Sequence, residues 1–140
     1  MKKILLATVL VAVSASACWG GGYRGPTDYA DIEQRATKGV DRGMARLDAS
    51  DQQTAQAQAL KDDLLKAAKP LYDAREPTKN ALKAEWKSTA PDAARVHAIV
   101  DARVADVSRI GHAAADAFVK FHAILTPEQR QKITDRLDDR

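Results

Sequence analysis

The 140-residue chain has a single cysteine, few aromatic residues and none of the short motifs that mark common enzyme classes. One cysteine cannot form an intramolecular disulfide. There is no GxSxG, no HExxH and no phosphate-binding glycine loop ahead of a helix, and no second cysteine is present to act as a nucleophile. These absences predict a protein that is not an enzyme and that carries no cofactor.

The first seventeen residues have the pattern of a bacterial export signal. Lys2 and Lys3 precede a short apolar run over residues 4–13, and small residues at 15–17 form a cleavage site. The apolar run is shorter than the roughly 20 residues that cross a bilayer. We therefore expect residues 1–17 to be a signal peptide and the protein to reach the periplasm.

Cys18 directly follows that cleavage site and begins a glycine-rich segment, residues 18–26, which we interpret as a flexible tether. The surrounding residues resemble a bacterial lipobox, with Ala15 where leucine is usual. A lone cysteine at this position favours lipid attachment, which would tether the protein to a membrane. A plain cleavage after Ala17 that leaves an incidental thiol is the alternative.

The charge gives little support to nucleic-acid binding. The whole chain has a pI of about 9.1 and a formal charge of +3, but removal of residues 1–17 lowers that charge to +1. The remaining chain is rich in alanine and poor in large apolar side chains. This composition favours helices but fills a core poorly, so it predicts thin, elongated helices completed by a second subunit.

Apolar residues spaced three or four apart predict one all-α domain over residues 27–140, with no strand. The first helix starts at Thr27 or Asp28 and ends near Leu47. A long second arm starts at Ser50 and contains two prolines and Trp86, which we predict to pack along its apolar stripe.

Each proline of that arm, Pro70 and Pro77, should break or kink a helix. The apolar spacing nevertheless continues in phase, which favours one long bent arm. A third helix, capped by Thr89 in a box with Asp92, runs to about Ile124.

The start of the last helix carries nearly every helix-start signal. Thr126 at N-cap and Gln129 at N3 form a capping box, and Pro127 at N1 suits the helix. Leu125 completes the pentapeptide Leu-Thr-Pro-Glu-Gln. A weaker copy lies 76 residues upstream, where Ser50 and Gln53 keep the capping chemistry after an alanine.

These two motifs, behind an export signal in a small helical chain, resemble the LTxxQ motifs of the Spy/CpxP-type periplasmic proteins. The resemblance implies a four-helix, cradle-shaped, antiparallel homodimer that acts as an ATP-independent chaperone or as an accessory of the envelope-stress response. Partly unfolded client proteins would bind a concave helical surface. Basic side chains are the candidate client-binding groups, and they are Arg35, Arg42, Arg46, Lys61, Lys66, Lys69, Arg75, Lys83 and Lys87.

The histidines suggest a rival function. His97 and Asp101 are four residues apart, as are His112 and Asp116, and such pairs can ligate zinc from one helix face. Each pair supplies only two ligands, and the pairs would lie about 22 Å apart along a straight helix. We therefore predict no metal site and interpret both as surface ion pairs. A zinc- or nickel-responsive sensor or buffer of the same fold is the alternative function.

Overall fold

The computed structural model describes residues 28–139, which form helices and no strand. The prediction of an all-α fold is confirmed. Residues 1–27 lie outside the described residues, and with them the predicted signal peptide, the tether and Cys18. The helices are α1 (Tyr29–Arg46), α2 (Asp51–Asp73), α3 (Arg75–Lys87), α4 (Ala93–Ile124) and α5 (Pro127–Asp138).

Helices α2 and α3 form the long arm that the sequence predicts, with one interruption at Ala74. The ψ angle of Ala74 is −7°, far from the helical value of about −42°. Pro70 lies inside α2, whereas Pro77 falls in the first turn of α3, where a missing N–H is tolerated. The arm is therefore interrupted just before the second proline, and α1, the arm, α4 and α5 make four helical units.

Helix α1 and the arm are antiparallel neighbours. Gln58 of α2 donates to the carbonyl of Thr37 in α1 at 3.2 Å and to the Asp41 carboxylate at 2.6 Å. Further along, the Tyr29 hydroxyl donates to the carbonyl of Leu65. The start of α2 contacts the end of α4 and α3 contacts its start, so the arm runs antiparallel to α4. Helix α2 packs against both α1 and α4 and therefore lies between them.

The buried apolar core is small and lies where α1, α2, α4 and α5 meet. Met44, Leu47, Ala57 and Leu125 are each at most 5% exposed, and partly buried apolar side chains, among them Phe121, pack against them. The core residues named here all lie within residues 28–139.

At the opposite end of the arm, a buried carboxylate fixes the turn between α3 and α4. Glu85 is 7% exposed, accepts the Asp92 N–H at 2.9 Å and pairs with Arg95 at 3.1 Å. The N-cap of α4 is Asp92, whose carboxylate accepts the Ala94 N–H at 2.9 Å. The predicted cap at Thr89 was wrong, because Asp92 itself supplies the capping oxygen.

One apolar prediction was wrong, and a second apolar surface is exposed. Trp86 does not pack, since its side chain is 87% exposed beside the inward-facing Glu85. The apolar positions of α4 do not all face the arm either. Five large ones are 49–66% exposed, namely Val100, Val104, Val107, Phe118 and Val119.

Candidate functional site

The two predicted capping boxes are both present. At the start of α2, the Ser50 hydroxyl accepts the backbone N–H of Gln53 at 3.2 Å, and the side-chain Oε1 of Gln53 accepts the backbone N–H of Ser50 at 2.9 Å. At the start of α5, the Thr126 hydroxyl accepts the Gln129 N–H at 3.3 Å, and Gln129 Oε1 accepts the Thr126 N–H at 2.9 Å.

The fold brings these two boxes together. Gln53 Nε2 donates to Gln129 Oε1 at 2.9 Å, and Gln129 Nε2 donates to Gln53 Oε1 at 3.2 Å. Each amide also donates to a carbonyl at the end of another helix. Gln53 reaches the Ile124 carbonyl at 2.9 Å and Gln129 the Leu47 carbonyl at 3.3 Å.

We call the group formed by Ser50, Gln53, Thr126 and Gln129 the glutamine clasp. Both side-chain amides use two donors and two acceptor positions, which is their full capacity. The clasp supplies partners to backbone groups that helix ends leave unpaired. It caps the starts of α2 and α5, and its amides donate to carbonyls at the ends of α1 and α4. Gln129 is only 7% exposed, and its bond to the Leu47 carbonyl is buried, whereas the bonds between Ser50 and Gln53 are exposed.

The turn that leads from α1 into the clasp has a strained residue at its centre. Asp48 has a φ of 52°, and the N–H groups of Asp48 and Ala49 donate back to Ala45 and Met44, as in a Schellman motif. The Asp48 carboxylate accepts from Lys132 of α5 at 2.6 Å. This hydrogen bond and the positive charge of Lys132 lower the pKa of Asp48.

The clasp has no chemistry of its own to offer a substrate. Its own groups are hydroxyls and neutral amides that are bonded to one another. The clasp holds four helix ends in register.

The family comparison agrees with this reading of the motifs. The family model described as LTXXQ motif family protein matches residues 35–137, which contain both halves of the clasp and most of every helix. The chain belongs to the LTXXQ motif family. Members of this family, the Spy/CpxP-type proteins, are typically periplasmic and related to stress. No curated protein and no solved structure matches the chain.

The basic residues singled out in this LTXXQ family protein differ in their surroundings. Lys61 departs from the expectation of a surface cation: its side chain is 11% exposed, and it donates to the Thr37 hydroxyl of α1 at 2.8 Å. Lys69 pairs with Asp73 at 2.8 Å, and Arg75 lies over the Tyr72 ring at 3.8 Å. The remaining candidates are exposed, namely Arg35, Arg42, Arg46, Lys66, Lys83 and Lys87.

The four weak metal candidates do not come together. His97, Asp101, His112 and Asp116 are all exposed, and neither histidine forms the ion pair that its spacing predicts. Within residues 28–139, no group of three or more histidine, cysteine or acidic side chains is placed to hold a metal ion. Over the same residues, no helix is long and apolar enough to span a bilayer.

Two features of the family protein escaped the sequence analysis. Asp106 of α4 is only 8% exposed and pairs with Arg103 and Arg109. Arginines three residues before and after an aspartate were the available signal. The second feature is the exposed apolar face of α4, which helical spacing alone does not separate from the packed face.

A shallow cleft between α2 and α4 has a volume of about 110 Å³ and is lined around Leu64 and Asp116. This is well below the ~300 Å³ at which pockets for drug-sized ligands begin.

Proposed function

We propose that this LTXXQ family protein is an ATP-independent chaperone or envelope-stress accessory of the periplasm that binds partly unfolded proteins. The proposal rests on the large apolar side chains that are exposed on the surface. Eight large apolar residues of the described part of the chain are 39–87% exposed, although the buried core has only four members. Five of the eight lie on α4, and exposed apolar side chains gathered on one helix favour a protein-binding surface.

Part of this surface suits a second copy of the chain. Val100, Val104, Val107 and Phe118 repeat along α4 at the three- and four-residue spacing of a helix-pairing seam. Gly111 lies at the centre of this seam, and a Cβ added there would meet nothing within 4 Å in the single chain. Val104 and Phe118 lie seven residues, or about two turns, on either side of Gly111. We propose an antiparallel homodimer in which two α4 helices cross at Gly111.

Clients would then use the groups that the seam leaves free. Val119 on α4 and Leu82 on α3 are 66% and 39% exposed, and exposed cations lie on α1 and the arm. Scattered apolar and positive groups without a defined pocket can hold many unfolded segments weakly. Such binding requires no nucleotide.

The dimer is tested with a matched glycine pair, Gly39→Ala and Gly111→Ala. Neither added Cβ meets an atom within 4 Å, and alanine favours the helix by about 0.5–1 kcal/mol, so both variants should resist urea slightly better as single chains. At the crossing, however, the methyl group separates the helices. Sedimentation equilibrium should show weaker dimerisation for Gly111→Ala alone, and equal dimerisation of the two variants would contradict the crossing.

The chaperone activity is tested by light scattering from an unfolding client, with EDTA or with zinc and without nucleotide. The proposal predicts the same suppression in both conditions. Suppression that requires zinc and is abolished by His97→Ala or His112→Ala would favour the metal-responsive alternative. The predicted lipid anchor is tested separately by mass measurement and fractionation of the exported wild type and Cys18→Ala. An unmodified wild-type protein in the soluble fraction would contradict the prediction of a lipid anchor.

A further inference from the structure

Helix α3 carries a row of exposed positive charges, of which Arg75 lies over the Tyr72 ring and Lys79 pairs with Glu76. Arg75, Lys79, Lys83 and Lys87 recur every four residues, so they lie along one face and span about 18 Å at 1.5 Å per residue. All four are exposed. We call this row, together with Trp86, the α3 basic stripe.

Few acidic groups neutralise the stripe. Lys79 pairs with the exposed Glu76 at 3.2 Å, while Lys83 and Lys87 make no ion pair or hydrogen bond among residues 28–139. The other acid of α3 is Glu85, which faces inward and is held by Arg95 and the Asp92 N–H. The outward face of α3 thus has a clear excess of positive charge.

The indole of Trp86 lies within the same face. Trp86 follows Lys83 by three residues and precedes Lys87 by one, and at 87% exposed it is the most exposed large apolar side chain of the described residues. Leu82, one turn earlier, is 39% exposed. An amphipathic indole flanked by flexible lysines is the combination found at the headgroup layer of membranes.

Among residues 28–139, the position of α3 leaves the stripe accessible to a flat surface. The glutamine clasp joins α1, α2, α4 and α5 at one end of the arm, whereas α3 lies at the other end, against the start of α4. Helix α1 begins at Tyr29, which contacts Leu65 and Tyr72 of α2, so it does not extend alongside α3.

From this charge complementarity we propose that the α3 basic stripe docks the protein onto anionic lipid headgroups. The lysines contact lipid phosphates, and Trp86 inserts at the boundary between headgroups and acyl chains. Lysine is suited to this occupant because its ammonium is a point charge that needs no fixed partner geometry. The docking shares Lys83 and Lys87 with the surface offered to clients, but it requires neither client binding nor a lipid on Cys18.

The test uses the exported chain with Cys18→Ala and Trp19→Phe, which removes the predicted lipid site and leaves Trp86 as the sole tryptophan. Vesicles of phosphatidylcholine alone are compared with vesicles of equal parts phosphatidylcholine and phosphatidylglycerol. Co-sedimentation and the emission of Trp86 are followed at low and high salt. The proposal predicts binding and a blue shift only with the anionic vesicles, both weakened by salt.

The variant Lys83→Gln/Lys87→Gln should weaken this binding by roughly 10- to 30-fold, since each cation near an anionic surface contributes about a factor of five. Trp86→Ala should weaken it as well. The matched control Lys66→Gln/Lys120→Gln removes two exposed lysines from α2 and α4 and should bind as the parent does. Circular dichroism should show unchanged helix content for all of them, because these side chains are exposed.

Absence of binding to anionic vesicles, or equal loss in the control pair, would overturn the proposal. Binding to an acidic polypeptide such as polyglutamate, with none to anionic vesicles, would overturn it too and assign the stripe to an acidic protein segment. The same substitutions in the full exported chain give a second measurement, in which the difference between variant and wild type reports the stripe alone.

Discussion

Replacement of Gln129 by alanine tests the clasp most sharply, because this side chain makes four hydrogen bonds at a site that is only 7% exposed. Each bond contributes about 0.5–1.5 kcal/mol net. Water can reach part of the half-buried Gln53 that stays behind, which offsets some of the loss. We expect Gln129→Ala to lower the free energy of unfolding by about 3 kcal/mol, a large share of the 5–15 kcal/mol of a typical domain.

A double-mutant cycle with Gln53→Ala isolates the bonds between the two amides. Gln53 also makes four hydrogen bonds, and two of them are shared with Gln129. Each single variant loses both of the shared bonds, so their contribution is counted twice when the two single-variant losses of unfolding free energy are added. The loss in the double variant should therefore be about 2 kcal/mol smaller than that sum. Urea unfolding followed by circular dichroism measures all three free energies.

The matched control is Gln131→Ala, since Gln131 is exposed and bonds only the side chain of Asp135. Its free energy of unfolding should stay within about 0.5 kcal/mol of the parent. The reasoning is refuted if Gln129→Ala costs no more than this control. It also fails if the Gln53 and Gln129 effects add without coupling, since residues that share hydrogen bonds must show it.

Three further predictions concern the rest of the fold. Tyr29→Phe removes the hydroxyl that bonds a carbonyl of α2 and should lower the free energy of unfolding by about 1 kcal/mol in urea titrations, with no loss of helix content. Glu85→Ala should lower the free energy of unfolding by about 2 kcal/mol, because it removes a buried charged acceptor. Arg95→Ala removes only the exposed partner and should lower it by less than about 1 kcal/mol. The reverse order would contradict the proposed role of Glu85 in the α3–α4 turn. The pKa of Asp48 is lowered in the folded state, so the contact with Lys132 stabilises the fold above the unfolded-state pKa, and this stability is lost as the pH falls through the folded-state pKa. Lys132→Gln should therefore reduce the loss of stability on acidification below pH 3.8. An unchanged acid unfolding profile would refute the assignment.

The helices and both caps of the clasp could be predicted because they depend on local chemistry. Thr126, Gln129, Ser50 and Gln53 bond within three residues of chain, so their spacing is visible in the sequence. The cross-bonds between the glutamines join residues 76 apart and depend on how the helices pack. No spacing rule contains that information.

The failures have a common physical cause. Helical periodicity states which residues can share a face, but it does not state which face meets a neighbour. Trp86 and Glu85 are adjacent on α3, and the structure buries the carboxylate with its hydrogen-bond partners while it exposes the indole. Lys61 similarly becomes a contact between α1 and α2 because the Thr37 hydroxyl lies within its reach. At Thr89 the motif was ambiguous, and the better acceptor, Asp92, caps the helix.

The most direct test of the account is the aggregation assay on residues 27–140 with an unfolding client, without nucleotide and with EDTA present. The account predicts suppression of light scattering at near-equal molar ratios, reduced when the exposed apolar Val119 and Leu82 are both replaced by serine. Light scattering that rises at the same rate with and without the protein would contradict the proposed chaperone function and leave the family membership and the fold as they stand.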